Sequence, residues 1–318
     1  MPEGTAPSAI VQGAPLAHTR NRVSHRRSGD TASPVTDDPP LLYGVILPSG
    51  DPRPAADLAA EAVAAGWDGV FTYDAIAIGD GDMWDPWILL AAMAARTDRV
   101  RLGALVFAPS RRRPWKLARE IITLDHLSNG RLVVPVGLGT LDDAGFGNVG
   151  EPVDARTRAR LLDETLAIID GLSSGEPFAF EGEHYRFGPM TVRPRPVQRP
   201  RVPVWVVGAW PHERSMHRAI RWDGLVVQAL GSDGRPATGP ETLREIVGWA
   251  REARASAGFD GPFEVVVDGS TPADDPVAAA AIARAHEAAG ATWWTEVDWT
   301  DTSPDALRAR ILAGPPRD

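Results

Sequence analysis

The chain has 318 residues, a formal net charge of −9 and no cysteine, which excludes disulfides, a thiolate nucleophile and a thiolate metal site. Its acidic balance and scattered basic residues argue against nucleic acid as a partner. No apolar run is long enough to span a bilayer, so we expect a cytoplasmic protein with no membrane partner.

The first 40 residues differ in composition from the rest. Residues 1–40 are rich in Ser, Thr, Pro, Arg and Asp and show no apolar period, which predicts a disordered tail. Arg26-Arg27 is not followed by an apolar run, so a twin-arginine export signal is not predicted. Residues 41–318 are long enough for one large α/β domain, since barrels of this class have about 250 residues.

Short apolar runs alternate with amphipathic stretches along the whole domain. The runs predict eight strands, at 42–47, 68–72, 100–106, 132–136, 204–207, 223–228, 263–267 and 292–297. The amphipathic stretches predict eight helices, at 54–65, 86–96, 115–127, 155–172, 212–221, 240–257, 276–289 and 304–312. Two insertions interrupt the alternation, a loop over about 141–155 and a segment over 175–203 that contains a predicted hairpin.

The same joint recurs where helices lead into strands. Gly66, Gly258 and Gly290 each follow the end of a predicted helix and directly precede a strand. Eight such strand–helix units in one domain predict a closed (β/α)₈ TIM barrel.

In a barrel of this kind the loops after the strands carry the chemistry, and the turns before them carry stability. The motif at 124–131 precedes a strand, so we expect Asp125 and Arg131 to hold a turn. The functional candidates lie at strand ends: Asp74, residues 104–109 with Ala104, Leu105 and Val106, residues 137–140 with Gly137, Gly139 and Thr140, residues 208–210 with Gly208, Gln228, Gly269, Ser270, Thr271 and Glu296. For each glycine, turn geometry is the alternative explanation.

Several chemistries do not fit these candidates. The seven histidines are scattered, so no metal site is predicted. Lys116, the only lysine, begins a predicted helix and not a strand end, which argues against a Schiff-base enzyme. Gly137 and Gly139 lack the third glycine of a dinucleotide fingerprint, and no Gly-x-Ser-x-Gly elbow is present.

A pocket with few protein nucleophiles suits a cofactor that carries the reactive group itself. Loops after the last two strands of a barrel often bind phosphate through backbone N–H groups. Gly269, Ser270 and Thr271 are placed for that role, and Arg214 at the start of the fifth helix could add positive charge.

Eight segments of the chain carry motifs that occur together in one superfamily. The segments are 66–70 (GWDGV), 99–103 (RVRLG), 111–120 (RRRPWKLARE), 124–132 (LDHLSNGRL), 137–139 (GLG), 180–185 (FEGEHY), 194–200 (PRPVQRP) and 291–294 (ATWW). They resemble the bacterial luciferase-like monooxygenases, a superfamily of FMN-dependent monooxygenases and of reductases and dehydrogenases that use the deazaflavin F420. The match covers roughly residues 42–314.

The resemblance implies a flavin at the C-terminal mouth of the barrel. It also implies a non-prolyl cis peptide within Ala104-Leu105-Val106, at the end of the third strand. Its members are commonly homodimers that pack through the second and third helices. We expect loops 75–84 and 141–153 to form a mobile lid, and Arg111 to Arg113 to meet the acidic tail of F420 if that is the cofactor.

One position departs from the family pattern. Ala75 stands where many members carry a histidine that acts in proton transfer, which leaves Asp74 as the candidate acid or base. The alternatives are that the enzyme relies on its cofactor and a dry pocket, or that this chain has lost activity. Leu138 replaces an arginine of the luciferases proper, so light emission is not implied.

The function that we predict is a flavin-dependent oxidoreductase, a monooxygenase that uses reduced FMN and O₂ on a small organic substrate. A separate flavin or F420 reductase would be its partner. The alternatives are F420-dependent hydride transfer, a non-catalytic flavin-binding barrel, and a barrel isomerase or lyase without a redox cofactor.

Overall fold

A computed structural model describes residues 40–47, 51–230 and 237–317. The tail predicted over residues 1–40 lies outside the described residues except for Pro40. The strands are β1 Leu42–Ile46, β2 Gly69–Thr72, β3 Arg101–Ala104, β4 Val134–Val136, β5 Phe178–Glu181, β6 Arg186–Met190, β7 Val204–Trp210, β8 Gly224–Ala229, β9 Glu264–Gly269 and β10 Trp293–Glu296. The helices are α1 Pro52–Ala65, α2 Pro86–Arg96, α3 Pro114–Leu127, α4 Ala144–Gly147, α5 Ala155–Ser173, α6 Glu213–Ala219, α7 Pro240–Ser256, α8 Pro276–Glu287 and α9 Pro304–Leu312.

Eight parallel strands form one sheet in the order β3-β2-β1-β10-β9-β8-β7-β4. Two parallel bridges, Leu102 to Leu132 and Phe107 to Val136, join the outer strands β3 and β4. The sheet is therefore closed, and the predicted TIM barrel is confirmed. The predicted hairpin is also confirmed, since β5 and β6 pair antiparallel as a separate two-stranded sheet.

Glycine makes the abrupt joints between helices and strands possible. Gly66, Gly258 and Gly290 have φ angles of 94°, 75° and 100°, in the left-handed region that favours glycine. The N–H of Gly66 bonds to carbonyl groups of the last turn of α1, so the chain ends the helix and turns at once into the next strand.

The barrel interior is filled by side chains that alternate along each strand. Its buried cluster consists of Ile46, Phe71, Val133, Trp205, Val266, Trp293 and Val297. The Phe71, Trp205 and Trp293 rings lie 5.5 to 6.1 Å apart between centroids. The barrel is therefore a packed core and not a channel, and ligands must bind at an end.

The turn before β4 is held by side-chain hydrogen bonds, as its sequence predicts. Asp125 is fully buried and accepts bonds from Val197 N, Gln198 N and Gln198 Nε2 at 2.6 to 3.1 Å. Arg131 donates to the carbonyl groups of Ala94, Thr97, Val100 and Ser128. The stabilising role expected of Asp125 and Arg131 is confirmed, at the end of the barrel where the strands begin.

Two strands run further than their apolar runs suggest. β7 continues through Gly208 to Trp210, because Gly208, Ala209 and Trp210 keep their pairing with β8. β9 continues to Gly269, paired with Glu296 of β10. The predicted strand ends at 207 and 267 were wrong, since backbone pairing extends a strand past its apolar residues. Within the described ranges, no helix has both the length and the apolar character needed to cross a bilayer.

Candidate functional site

The inward row of side chains continues above the packed interior and opens at one end of the barrel. Because side chains alternate along a strand, Tyr73, Val207, Gln228 and Asp268 share the face of the interior residues that lie two positions before them. Tyr73 and Val207 are half-buried, whereas Gln228 and Asp268 are exposed. These residues come at or just after the carboxyl ends of their strands. We call this solvent-accessible end, lined by Tyr73, Leu105, Val207, Gln228 and Asp268, the mouth.

One wall of the mouth is apolar and carries an unusual backbone bond. The peptide between Leu105 and Val106 is cis, which confirms the position that the family resemblance implies. Leu105 packs against the interior cluster. A Cβ placed on Gly137 would lie 2.8 Å from Val106 Cγ2 and 3.1 Å from Val207 Cγ2. Glycine at 137 therefore lets the Val106 side chain sit directly against β4.

Asp74 lies behind this wall. Its side chain is 1% exposed, and its Oδ2 accepts a bond of 2.9 Å from Ala108 N. Its Oδ1 accepts bonds from Arg111 Nη2 and Arg112 Nη2 at 2.8 and 2.9 Å. Both carboxylate oxygens are thus held by the chain that leads from the cis peptide to α3, and the acid–base role predicted for Asp74 stays a prediction.

A second buried carboxylate, which the sequence did not reveal, joins three loops of the mouth. Asp143 is 1% exposed and accepts bonds from the N–H groups of Ile76, Ala77 and Gly145 and from Arg111 Nη1. Burial tends to raise the pKa of Asp143, but these four hydrogen bonds outweigh it and the pKa is lowered. Arg111, itself 3% exposed, therefore bridges Asp74 and Asp143.

The two loops expected to form a mobile lid are bonded to each other. Ala144 N donates to Ala77 O at 2.9 Å, in addition to the Asp143 bonds. Phe146 of α4 lies between the Arg111 and Arg158 guanidinium groups, each 4.9 Å from its ring centroid. Loops 75–84 and 141–153 are thus one connected structure on the β2–β4 side of the mouth.

Three further candidates, two after β4 and one in β7, lie at packed or rim positions. Gly139 has φ 77° and lies against Phe146, since an added Cβ would be 2.8 Å from that ring. Thr140 is exposed on the rim and accepts a bond from Asp142 N. Gly208 faces the helix layer, because a Cβ there would lie 2.7 Å from Met216 Sδ.

Arg214 lies at the start of α6, just after the carboxyl end of β7, and its predicted role in cofactor binding stays a prediction. It lines an outer groove of about 550 Å³ together with Asp163 of α5 and with Ala257 and Phe259 from the turn before β9.

The loop after β9, which the sequence predicts to bind phosphate, is bonded to the protein itself. Thr271 donates its N–H and its hydroxyl to the buried Glu296 carboxylate, at 2.7 and 3.0 Å. Arg310 forms an ion pair with Glu296 at 3.2 Å and donates to Thr271 Oγ1. Gly269 lies against the Trp294 indole, which leaves Ser270 as the exposed residue of the three.

A cavity of about 490 Å³ lies between this loop, the end of β10 and α9. Arg310 lines it, but so do Glu296, Asp298 and Asp301, so the local charge is unfavourable for an anion. A phosphate-binding role for Gly269, Ser270 and Thr271 stays a prediction.

Asp268 is the polar residue of the mouth that sequence reasoning passed over. Although its side chain is solvent-exposed in the mouth, desolvation by the surrounding barrel wall raises its pKa above 3.8. Its position two residues after the interior Val266 would have identified it, had the strand been extended to Gly269.

Aromatic side chains form another part of the rim. Tyr73 meets the half-exposed Trp299 edge-on, with 6.0 Å between ring centroids. The Tyr73 hydroxyl contacts Met83 Sδ at 3.4 Å, and burial raises the pKa of Tyr73. The mouth thus combines an apolar wall, an aromatic edge and two polar groups, Gln228 and Asp268.

Comparison with known proteins gives a consistent set of relatives. A family model described as luciferase-like monooxygenase matches residues 33–312. An uncharacterized protein of Mycobacterium tuberculosis is 35% identical over 194 residues, covering 61% of this chain and 64% of that protein. The F420-dependent glucose-6-phosphate dehydrogenase of Nakamurella multipartita is 34% identical over 182 residues, covering 54% of this chain and 52% of that enzyme.

Solved structures share the fold at low sequence identity. The monooxygenase RslO1 from Streptomyces bottropensis has a TM-score of 0.70 at 23% identity, covering 86% of this chain and 96% of that chain. The coenzyme F420-dependent tetrahydromethanopterin reductase from Methanopyrus kandleri has a TM-score of 0.69 at 17% identity, covering 86% and 98%.

Proposed function

This chain belongs to the luciferase-like monooxygenase family, and we propose that it is a coenzyme F420-dependent oxidoreductase that transfers a hydride to or from a small organic substrate. Members of the family use FMN or coenzyme F420. When bound, F420 supplies a ring carbon that accepts or donates the hydride.

The observation that supports a ring-shaped cofactor most directly is the apolar wall of the mouth. Leu105 and Val106, joined by the cis peptide, would support one face of the ring system. Val106 and Val207 leave no room for a side chain at position 137, so Gly137 allows both to pack against β4. The inward side chains of Gln228 and Asp268 reach the same mouth from β8 and β9 and could meet polar edges of the cofactor or substrate.

Relatives of named activity above 30% identity include F420-dependent enzymes, which favours F420 over FMN. F420-dependent glucose-6-phosphate dehydrogenases of Nakamurella multipartita and Kineococcus radiotolerans are 34% and 35% identical to this chain. The matches cover only about half of each enzyme, so glucose 6-phosphate is not transferred to this chain as a substrate. Asp268 of β9 and the residues Asp298 and Asp301 after β10 disfavour an anionic substrate. We therefore expect the substrate to carry no negative charge.

Asp74 would hold the apolar wall in place and would not contact the substrate. Its bonds to Ala108 N, Arg111 and Arg112 fix the chain that follows the cis peptide. Of the three arginines expected to meet the F420 tail, Arg111 is 3% exposed and Arg112 20% exposed, and both bond to Asp74. Arg113 is exposed and would offer its charge to the tail.

Monooxygenation is the second candidate, because the family model that matches carries that description. In that case a separate reductase would supply reduced FMN, and the joined loops 75–84 and 141–153 would help to exclude water. For either reaction, pairing through α2 and α3 into a homodimer would cover the exposed Ile88, Trp115 and Leu127.

A spectral titration with F420, oxidised FMN and reduced FMN tests the proposal. We expect F420 to bind and to be reduced in the presence of a neutral alcohol from a substrate panel. Oxygen consumption on addition of reduced FMN would move the protein to the monooxygenase reaction. FMN binding without turnover would favour a flavin-binding protein, and binding of neither cofactor would refute both redox functions.

A further inference from the structure

Asp268 differs from the other carboxylates around the mouth in what its oxygens contact. Asp74, Asp143 and Glu296 each accept at least three hydrogen bonds from protein donors and are buried. In the part of the chain that the structure describes, the Asp268 carboxylate interacts only with its own backbone N–H. It is therefore accessible to a ligand, whereas the other three hold the architecture.

The position of Asp268 is set by a regular strand and not by a loop. It pairs in register with Thr295 of β10, and the next residue, Gly269, still pairs with Glu296. The Thr295 hydroxyl donates to Val267 O at 3.0 Å, so it is not directed to Asp268. On the other side Gln228 of β8 continues the inward row that contains Val226. A carboxylate on a paired strand is held more rigidly than one on a flexible loop.

We propose that Asp268 exchanges a proton with the substrate oxygen while the hydride moves between substrate carbon and cofactor. The role rests on the proposed F420-dependent function. In alcohol oxidation, the C–H bond breaks and its electron pair leaves with the hydride to oxidised F420. The O–H bond breaks at the same time, its electron pair forms the carbonyl bond, and the proton goes to the Asp268 carboxylate. In the reverse direction, protonated Asp268 returns the proton to the carbonyl oxygen.

The surroundings of Asp268 suit this exchange. Its neighbours in the inward row, Gln228 and Thr295, are uncharged, and Tyr73 across the mouth is neutral below its raised pKa. Among the described residues no charged side chain contributes to the raised pKa of Asp268, whose principal cause is desolvation. A cofactor ring placed over the carboxylate would remove more water and raise the pKa further. The pKa of Asp268 then lies closer to neutral pH, and an acid or base is most efficient when its pKa is near the working pH.

A carbon-13 NMR titration of the side-chain carboxyl groups tests the placement without any turnover. Protein labelled at the aspartate side-chain carbonyl is titrated with acid, free and saturated with F420, and Asp268→Asn identifies the signal. We expect the Asp268 signal to titrate above 3.8 in the free protein and to move upward when F420 binds. Asp260→Asn is the matched control, since Asp260 precedes the other end of the same strand.

Kinetics test the chemical role. For the alcohol that reduces F420 fastest in the panel, we expect Asp268→Asn to lower kcat about 100-fold or more with KM changed only a few-fold. Asp268→Glu should restore part of the rate, and Asp260→Asn should keep the wild-type rate. Because the folded-state pKa of Asp268 is raised, its ionisation costs stability as the pH rises through that pKa, so Asp268→Asn should fold at least as stably at neutral pH.

The outcomes separate the two proposals. If F420 does not bind the wild-type protein, the proposed function fails, and this role of Asp268 fails with it. If F420 binds but the Asp268 signal does not move, or Asp268→Asn keeps its rate within threefold, the inference about Asp268 alone is overturned.

Discussion

Replacing Asp143 by asparagine tests whether one buried carboxylate holds the loops of the mouth together. In Asp143→Asn, the oxygen of the new side-chain amide can keep the bonds from Ala77 N and Gly145 N, which reach Oδ1 of the native carboxylate. The amide NH₂ would then face two other donors, Ile76 N and Arg111 Nη1, which reach Oδ2. Two bonds to a charged acceptor are lost, and Arg111 loses one of its two carboxylate partners.

The expected loss in the free energy of unfolding follows from these contacts. Breaking a buried ion pair by removing one partner costs about 3–5 kcal/mol. Arg111 keeps its bond of 2.8 Å to Asp74, so we expect the lower end, about 3 kcal/mol in the free energy of unfolding. For a domain of this size, a cost of about 3 kcal/mol lowers Tm by roughly 5 °C.

Tryptophan fluorescence in urea and a thermal melt measure the global effect, and hydrogen exchange measures the local one. We expect the largest increase in exchange at Ile76, because its N–H loses its acceptor, and a smaller one at Ala77 and Gly145, whose bonds the amide oxygen can keep. Asp142→Asn is the matched control, since Asp142 is adjacent but exposed. A loss below about 0.5 kcal/mol for Asp143→Asn, equal to that of the control, would refute the reasoning.

The pH dependence has a definite sign. The pKa of Asp143 is lowered in the folded state, so its contribution is complete above the unfolded-state value of about 3.8 and is lost as the pH falls below it. The stability difference between wild type and Asp143→Asn should therefore be constant near neutrality and shrink below about pH 3.8. A difference that grows on acidification would contradict this linkage.

Three further substitutions probe the rest of the barrel. Gly137→Ala would place a Cβ 2.8 Å from Val106 Cγ2, so we expect it to lower the free energy of unfolding by about 1–3 kcal/mol, measured in a thermal melt. We also expect weaker F420 binding, and an unchanged F420 affinity would exclude this wall from the cofactor site. Asp125→Ala leaves three donors without their acceptor and should cost about 2–4 kcal/mol while the F420 Kd of the folded protein stays the same. Arg113→Ala should weaken F420 binding roughly fivefold, about 1 kcal/mol, in a salt-dependent manner, and an unchanged Kd at low salt would exclude contact with the tail.

Local patterns in the sequence were sufficient to predict most of the barrel. The apolar runs and the glycines at positions 66, 258 and 290 mark the strands and the joints that lead into them, since helix ends and turns depend on a few neighbouring residues. The boundaries of β7 and β9 were missed, because a strand continues for as long as its neighbours pair with it. The family resemblance, and not local physics, indicated the cis peptide at Leu105-Val106.

The candidate site was predictable as a place but not as a set of interactions. The sequence by itself determined that the strand ends would meet at one mouth and that the Asp125 turn would lie at the other end, because chain order and parallel pairing fix which ends come together. Only the tertiary structure decided that Asp74 and Asp143 share Arg111, that Thr271 is bonded to Glu296, and that Asp268 remains accessible. These contacts join residues tens of positions apart along the chain. Whether a carboxylate is bonded or exposed depends on which donors the folded chain places around it, and no local pattern contains that information.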